Sequence, residues 1–165
     1  MNPNNHPTVN DVRVLEAAGP WKTKSDGELN VLFKLPFDDI MGKFFSYNQS
    51  ELDKIPADIR GLRSYRVSRL ANAAIGAKEW HKVRNELAIT TRGSIKWTCQ
   101  DIYGGSVTHV LDESHGLWIP PYILHTYEAL QDDSEVLVIA NTLFIPDDPA
   151  THDSYSDESF ASLGQ

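Results

Sequence analysis

Two histidines carry most of the chemistry this chain can offer. His81 lies in the stretch Gly76-Ala77-Lys78-Glu79-Trp80-His81-Lys82, and His125 closes the run from Gly116 through Pro120-Pro121. Imidazole titrates near neutrality, so either side chain can take or return a proton at physiological pH. Glu79 stands two residues before His81. On a strand the two project from one face, where the carboxylate can orient the imidazole or raise its pKa. Tyr127 stands in the same relation to His125 and offers a further proton donor. The pattern reads as a general-base site centred on His81, with Glu79, His125 and Tyr127 beside it. His6, His109, His115 and His152 fall in loops, strand edges or tails and read as ordinary packing or surface residues.

The same residues support a metal alternative. Glu79, His81, Glu86 and His125 would set two imidazoles and two carboxylates around zinc, manganese or iron. Glu86 reads equally well as an exposed charge at a strand end. A third pattern is basic: Arg63, Arg66, Lys78, Lys82 and Arg84 gather around this region. Charge-assisted bonds from such residues hold a diphosphate, and Trp80 and Tyr65 can stack on a base or sugar. The competing reading of the basic group is a solvated edge strand.

These residues need elements to hold them. Arg60 to Leu70 alternates as a strand, with Arg63, Tyr65, Val67 and Arg69 on one face and Leu62, Ser64, Arg66 and Ser68 on the other. Ala71 to Gly76 reads as a small-residue loop. Strands then recur at 87–91, 95–101, 106–111, 116–119, 126–129 and 136–144, a spacing that predicts a sandwich or barrel. Earlier strands are expected at 12–15, 29–35 and 44–47, with a short helical turn over 50–55 stopped by Pro56. Residues 1–10 read as a disordered N-terminus, 11–145 as the barrel, and 146–165 as an acidic tail or short helix anchored by Phe160.

Composition sets the outer bounds. The chain has 165 residues and a net charge of -8, which argues against general nucleic-acid binding. No apolar run approaches the ~20 residues of a membrane helix, and no secretory pattern opens the chain. One cysteine, Cys99, allows no internal disulfide and fits a reducing cytoplasm. It shares a strand face with Ile95 and Trp97 and reads as core.

The Glu79-x-His81, Glu86 and Gly93 stretch, answered by Gly116 to His125, resembles the two motifs of the cupin superfamily. Within it the chain is similar to nucleotide-sugar-modifying cupins: dTDP-4-dehydrorhamnose 3,5-epimerases, dTDP-4-keto-6-deoxyglucose 3,4-ketoisomerases and the cupin domain of capsular-polysaccharide reductases. The similarity runs from Arg63 to Phe160 and includes Trp118-Ile119-Pro120, His125-Thr126-Tyr127 and Ala140 to Pro146. Three departures stand out. Glu79 and Arg66 replace a family histidine and tyrosine, and no lysine follows His81 at the epimerase spacing. The resemblance implies an antiparallel jelly-roll β-barrel, a homodimer, and isomerisation of a nucleotide-linked 4-keto deoxysugar without metal or redox cofactor. It implies His81 as base, His125 or Tyr127 as acid, and Arg63, Tyr65, Arg66, Lys78 and Lys82 on the nucleotide-diphosphate sugar. The departures leave open a sugar- or nucleotide-binding cupin without catalysis.

Overall fold

The computed structural model describes residues 6–35, 39–113 and 115–163. In chain order its strands are β1 (Arg13–Glu16), β2 (Ala18–Lys22), β3 (Glu28–Val31), β4 (Arg60–Leu70), β5 (Ile75–Trp80), β6 (Glu86–Arg92), β7 (Ile95–Asp101), β8 (Ser106–Leu111), β9 (His115–Ile119), β10 (Ile123–Ala129), β11 (Ser134–Thr142) and β12 (Tyr155–Ser156). Three short helices join them: α1 (Asp39–Phe44), α2 (Gln49–Leu52) and α3 (Asp157–Ala161). One sheet has the order β1-β9-β6-β11-β4 and the facing sheet β12-β5-β10-β7-β8. All their pairings are antiparallel. From β4 to β7, and again from β8 to β11, each connection carries the chain to the opposite sheet, as a jelly roll does. The all-β antiparallel architecture is therefore the one expected.

Alternation explains how the sheets close. Inward residues of one sheet, Ala88, Leu117, Ile119, Val136 and Val138, meet Ile95, Trp97, Cys99, Ile123 and Ala129 from the other. Cys99 is fully buried among them, and that burial pushes its thiol up to about 12, the behaviour of a packing residue. On the remote side of the first sheet, Phe44 packs with Leu15, Leu87 and Trp118.

Several boundaries differ from expectation. The stretch 44–47 is not a strand: α1 ends at Phe44, which is buried while Phe45 is exposed, and Phe45 N–H donates to Met41 C=O. The strand expected over 29–35 ends at Val31 and pairs only with β2, forming a separate two-stranded ribbon. Ile75 and Gly76 belong to β5 rather than to the preceding loop. Of residues 1–10, those numbered 1–5 lie outside the described residues. Val9 to Asp11 form a 3-10 turn, and Val9 N–H donates to the Asp101 carboxylate at 2.9 Å.

The acidic tail is built into the barrel. Ser156 caps α3 by accepting from Ser159 N–H, and α3 seats Phe160 against Trp80, with ring centroids 5.9 Å apart. Trp80 Nε1–H in turn donates to Ser159 Oγ at 2.9 Å. Among the described residues no helix is long and apolar enough to cross a membrane.

Candidate active site

The site is assembled where β5, β6 and β10 bring polar side chains inside an apolar barrel. β10 runs between β5 and β7, with His125 opposite Glu79 on one side and Cys99 on the other. β5 carries a bulge there. Ala77 and Lys78 both hold positive φ, 61° and 59°, and the register slips between His125 and Thr126. Such a bulge re-aims the side chains around it. Lys78 is left on the surface, Glu79 faces inward half-buried, and the chain leaves β5 so that His81 is buried.

Five polar side chains then converge. Glu86 opens β6, a central strand, and is 2 % exposed. Tyr65 Oη–H donates to Glu86 Oε1 at 3.0 Å, and Arg84 Nη1 lies 3.3 Å from the same oxygen. His81 Nε2 is 3.6 Å from Oε1, and His125 Nε2 is 3.4 Å from Oε2. Both imidazoles are fixed from behind. His81 Nδ1 donates to the Asp153 carbonyl at 2.5 Å, and His125 Nδ1 to the Ile123 carbonyl at 3.0 Å. A carbonyl only accepts, so in each ring Nδ1 carries hydrogen and Nε2 faces the carboxylate.

The electrostatics follow from burial and pairing. Burial, the largest influence on Glu86, raises its pKa, but attraction to His81 and the hydrogen bonds with His125 and His81 outweigh it. The carboxyl is held well below its usual range. Burial likewise works against a charged His125, and Glu86 overcomes it through a hydrogen bond and its charge, raising the His125 pKa. Burial and then the Glu86 charge keep the Tyr65 phenol protonated.

The residues from His81 to Glu86 are mostly polar in sequence and join β5 to β6. They are nonetheless largely buried, so their N–H groups need partners. Asp153 supplies them: its Oδ1 accepts from Lys82 N–H, and its Oδ2 from Val83 and Arg84 N–H, each at 2.9 Å. The tail thus sets the position of the His81 ring and of the loop carrying Arg84. Asp153→Ala orphans two buried donors and one half-buried one, and each unsatisfied buried group costs about 1–3 kcal/mol. The expected result is a clear fall in the chemical-denaturation midpoint. A midpoint equal to wild type would show that the loop does not depend on the tail.

A cavity of about 430 Å³ opens in front of the cluster, lined by Arg63, Tyr65, Glu79, Arg84, Phe144 and Ser154. Its size suits a small-molecule site. Tyr65 and Arg84 are the cluster members on its wall, and Glu79, also on the wall, has a carboxylate oxygen within 4.8 Å of a ring nitrogen of His81 and of His125. Among the expected residues, then, Glu79, His81, His125, Arg63 and Tyr65 come together. Tyr127 lies further along β10 on the same inward face. It rests against Trp97, 5.5 Å between ring centroids, in space that Gly76 leaves open: a Cβ on Gly76 would sit 2.2 Å from the Tyr127 hydroxyl.

Three expected ligand-holding residues do not reach this cavity. Arg66 points from the opposite face of β4 and stands 3.7 Å from Glu135 at the surface. Lys78 is turned out by the bulge. Lys82 reaches over the Tyr155 ring at 4.6 Å and lines a second cavity of about 210 Å³ with Lys43, Trp118 and Tyr122. Conversely, Glu86, Arg84 and Asp153 belong to the site with a weight their sequence positions did not give them.

For the metal alternative, Glu79, His81 and His125 each present a ligand atom, all within 4.8 Å of one another. The donor types suit a divalent cation. The surroundings do not, because Arg84 Nη1 lies 3.4 Å from His81 Nε2 and 3.3 Å from Glu86. A guanidinium already provides positive charge beside two of the four residues, His81 and Glu86.

Comparison with known proteins gives a family and a shared fold. A family model described as FdtA, WxcM-like, C-terminal matches residues 30–158. No curated protein sequence matches the chain. Among solved structures, a 3,4-ketoisomerase from Helicobacter canadensis has a TM-score of 0.63 at 16% identity, covering 93% of this chain and 97% of that one. A sugar 3,4-ketoisomerase from Thermoanaerobacterium thermosaccharolyticum, in complex with TDP, has a TM-score of 0.61 at 17% identity, covering 93% and 94%. A dTDP-4-dehydrorhamnose 3,5-epimerase from Bacillus anthracis, with TDP and pyrophosphate bound, has a TM-score of 0.61 at 12% identity, covering 92% and 81%.

Proposed function

The chain belongs to the FdtA (WxcM-like, C-terminal) family, and from that premise we propose that it isomerises a nucleotide-linked 4-keto deoxysugar by proton transfer. The observation that carries this reading is the His81 ring: buried, held through Nδ1 by a backbone carbonyl, and presenting Nε2 behind a cavity walled by Glu79 and two guanidiniums. A ketone acidifies the hydrogens on its neighbouring carbons. One base near such a carbon and one acid near the oxygen are then sufficient. His81 takes the proton. Glu79 lines the cavity within 4.8 Å of the His81 ring nitrogen and aligns the base, and His125, whose charged form Glu86 favours, is the acid of the set with Tyr127 beyond it. The solved ketoisomerase from Thermoanaerobacterium thermosaccharolyticum binds TDP-4-keto-6-deoxyglucose when altered at one histidine, which supports this class of substrate.

Arg63 is the diphosphate-holding residue best placed by the cavity. Its guanidinium lies over Tyr65 and Phe144, at 5.2 Å and 4.9 Å, with Nη1 buried and without a partner among the described residues. Arg63→Ala is expected to weaken TDP binding by roughly 1.5–3 kcal/mol, as for a lost charged hydrogen bond. Arg66→Ala, on the outer face, is expected to change it less than twofold. Calorimetry with TDP checks both, and an unchanged affinity for Arg63→Ala would remove that residue from the binding set.

The reading places the protein in the cytoplasm as a homodimer, supported by the single buried cysteine and by the family resemblance. Incubation with TDP-4-keto-6-deoxyglucose, followed by NMR of the sugar ring, tests the function. A migrated ketone marks a ketoisomerase and an inverted C3 or C5 an epimerase. Tight binding with unchanged sugar would make the protein a binding module.

A further inference from the structure

Arg84 is 2 % exposed, and its guanidinium is only partly used by the protein. Nε donates to Thr142 Oγ1 at 3.2 Å, and Nη1 lies 3.3 Å from Glu86 Oε1 and 3.4 Å from His81 Nε2. Nη2 is buried and has no hydrogen-bond partner among the described residues. Arg84 also lines the cavity, opposite Arg63, whose Nη1 is the other buried guanidinium donor without a partner. Buried polar groups are almost always satisfied, and two orphaned cationic donors on one cavity point to an anionic oxygen that the protein itself does not supply.

The position of Arg84 says which oxygen. A diphosphate is remote from the reacting carbon, whereas Arg84 touches the base. Its two terminal nitrogens form a rigid fork, so the free Nη2–H lies beside the nitrogen that neighbours His81 Nε2. A substrate with its α-hydrogen on His81 has its carbonyl oxygen next to that hydrogen-bearing carbon, within reach of the free arm. Resting on the isomerase reading above, we propose that Arg84 is a catalytic residue that holds the substrate carbonyl oxygen as it becomes an enolate.

The step balances without a co-reactant. The proton leaves carbon for His81 Nε2, the C–H pair becomes the carbon–carbon π bond, and the carbonyl π pair moves onto the oxygen facing Arg84. Return of a proton to carbon, on the opposite face or at the adjoining centre with transfer of the hydroxyl hydrogen, completes epimerisation or ketone migration. Thr142 and Glu86 hold the other nitrogens, so the donor is oriented before charge develops.

The test uses Arg84→Ala and Arg84→Lys, assayed for turnover of TDP-4-keto-6-deoxyglucose, for its deuterium exchange in heavy water, and for TDP affinity. Arg84→Ala is expected to lower kcat by about 10²–10³-fold, as for loss of an oxyanion donor. TDP affinity should stay within threefold, and added guanidinium ion should restore part of the rate. Arg84→Lys keeps the charge beside Glu86 and guards against a folding defect. It is expected to unfold like wild type yet remain at least tenfold slower, because one ammonium cannot serve Glu86 and the substrate oxygen together. Wild-type rates in a folded variant would overturn the role of Arg84 while leaving the isomerase reading intact. Absence of exchange and turnover in the wild-type protein would overturn both.

Discussion

His81→Asn is expected to lower exchange of the substrate's acidic C–H with solvent by ~10²–10⁴-fold, the usual loss on removing a general base. Asparagine can still donate to the Asp153 carbonyl but cannot accept a proton at Nε2. TDP affinity should therefore be little changed, since the proposed contact of His81 is with the keto sugar ring, which TDP lacks. Glu79→Gln keeps the size of the group beside His81 and removes its charge. It is expected to slow exchange by about tenfold or less, the effect of losing alignment rather than the base. A loss from Glu79→Gln as large as from His81→Asn would transfer proton abstraction to Glu79. Mass-spectrometric deuterium uptake measures both variants on one scale.

Glu86→Gln is expected to destabilise the fold by roughly 3–5 kcal/mol near neutral pH, as removing one partner from a buried ion pair does. The amide keeps the shape but leaves the His125 charge uncompensated, with Arg84 Nη1 beside it. The pH dependence has a defined sign. The Glu86 pKa is held far below its ordinary 4.5, so its stabilisation is present above that value and is lost as pH falls through the folded pKa. The His125 pKa is raised above 6.5, so its stabilisation is complete below that value and is lost as pH rises through the folded pKa. The gap between wild type and Glu86→Gln should be widest between those limits and narrow toward acid and toward alkali. Denaturation midpoints across pH 3–9 check this, and a gap independent of pH would detach Glu86 from His125.

The sequence carried the barrel because strand alternation and Gly/Pro spacing survive in any register. It also carried the meeting of Glu79, His81 and His125, since β5 and β10 bear motif residues that pair directly. Other features depend on long-range partners. Glu86 reads as an end charge until β6 is known to lie between β9 and β11. A usable signal was present: Leu87 to Thr90 is apolar or small on both faces, which marks a central strand and a buried carboxylate at its start. Arg84 gives no such signal, because its burial depends on Asp153, 69 residues away. Lys78 misled because a strand of regular pleat would aim it by alternation, and two positive φ angles break that pleat. Arg66 fell on the opposite face from Arg63 by alternation itself, so its outward position was legible at the outset. The short helix at Phe44 is held by packing under β1, β6 and β9, which no local pattern records.

The most direct test of the central claim is deuterium wash-in by the wild-type protein. TDP-4-keto-6-deoxyglucose is incubated with enzyme in heavy water, and the recovered nucleotide sugar is weighed by mass spectrometry. Deuterium entering a carbon beside the ketone at a rate that scales with enzyme, is lost in His81→Asn, and persists after chelator treatment is the predicted result. A protein that binds the nucleotide sugar yet leaves its carbon-bound hydrogens unexchanged would contradict the account.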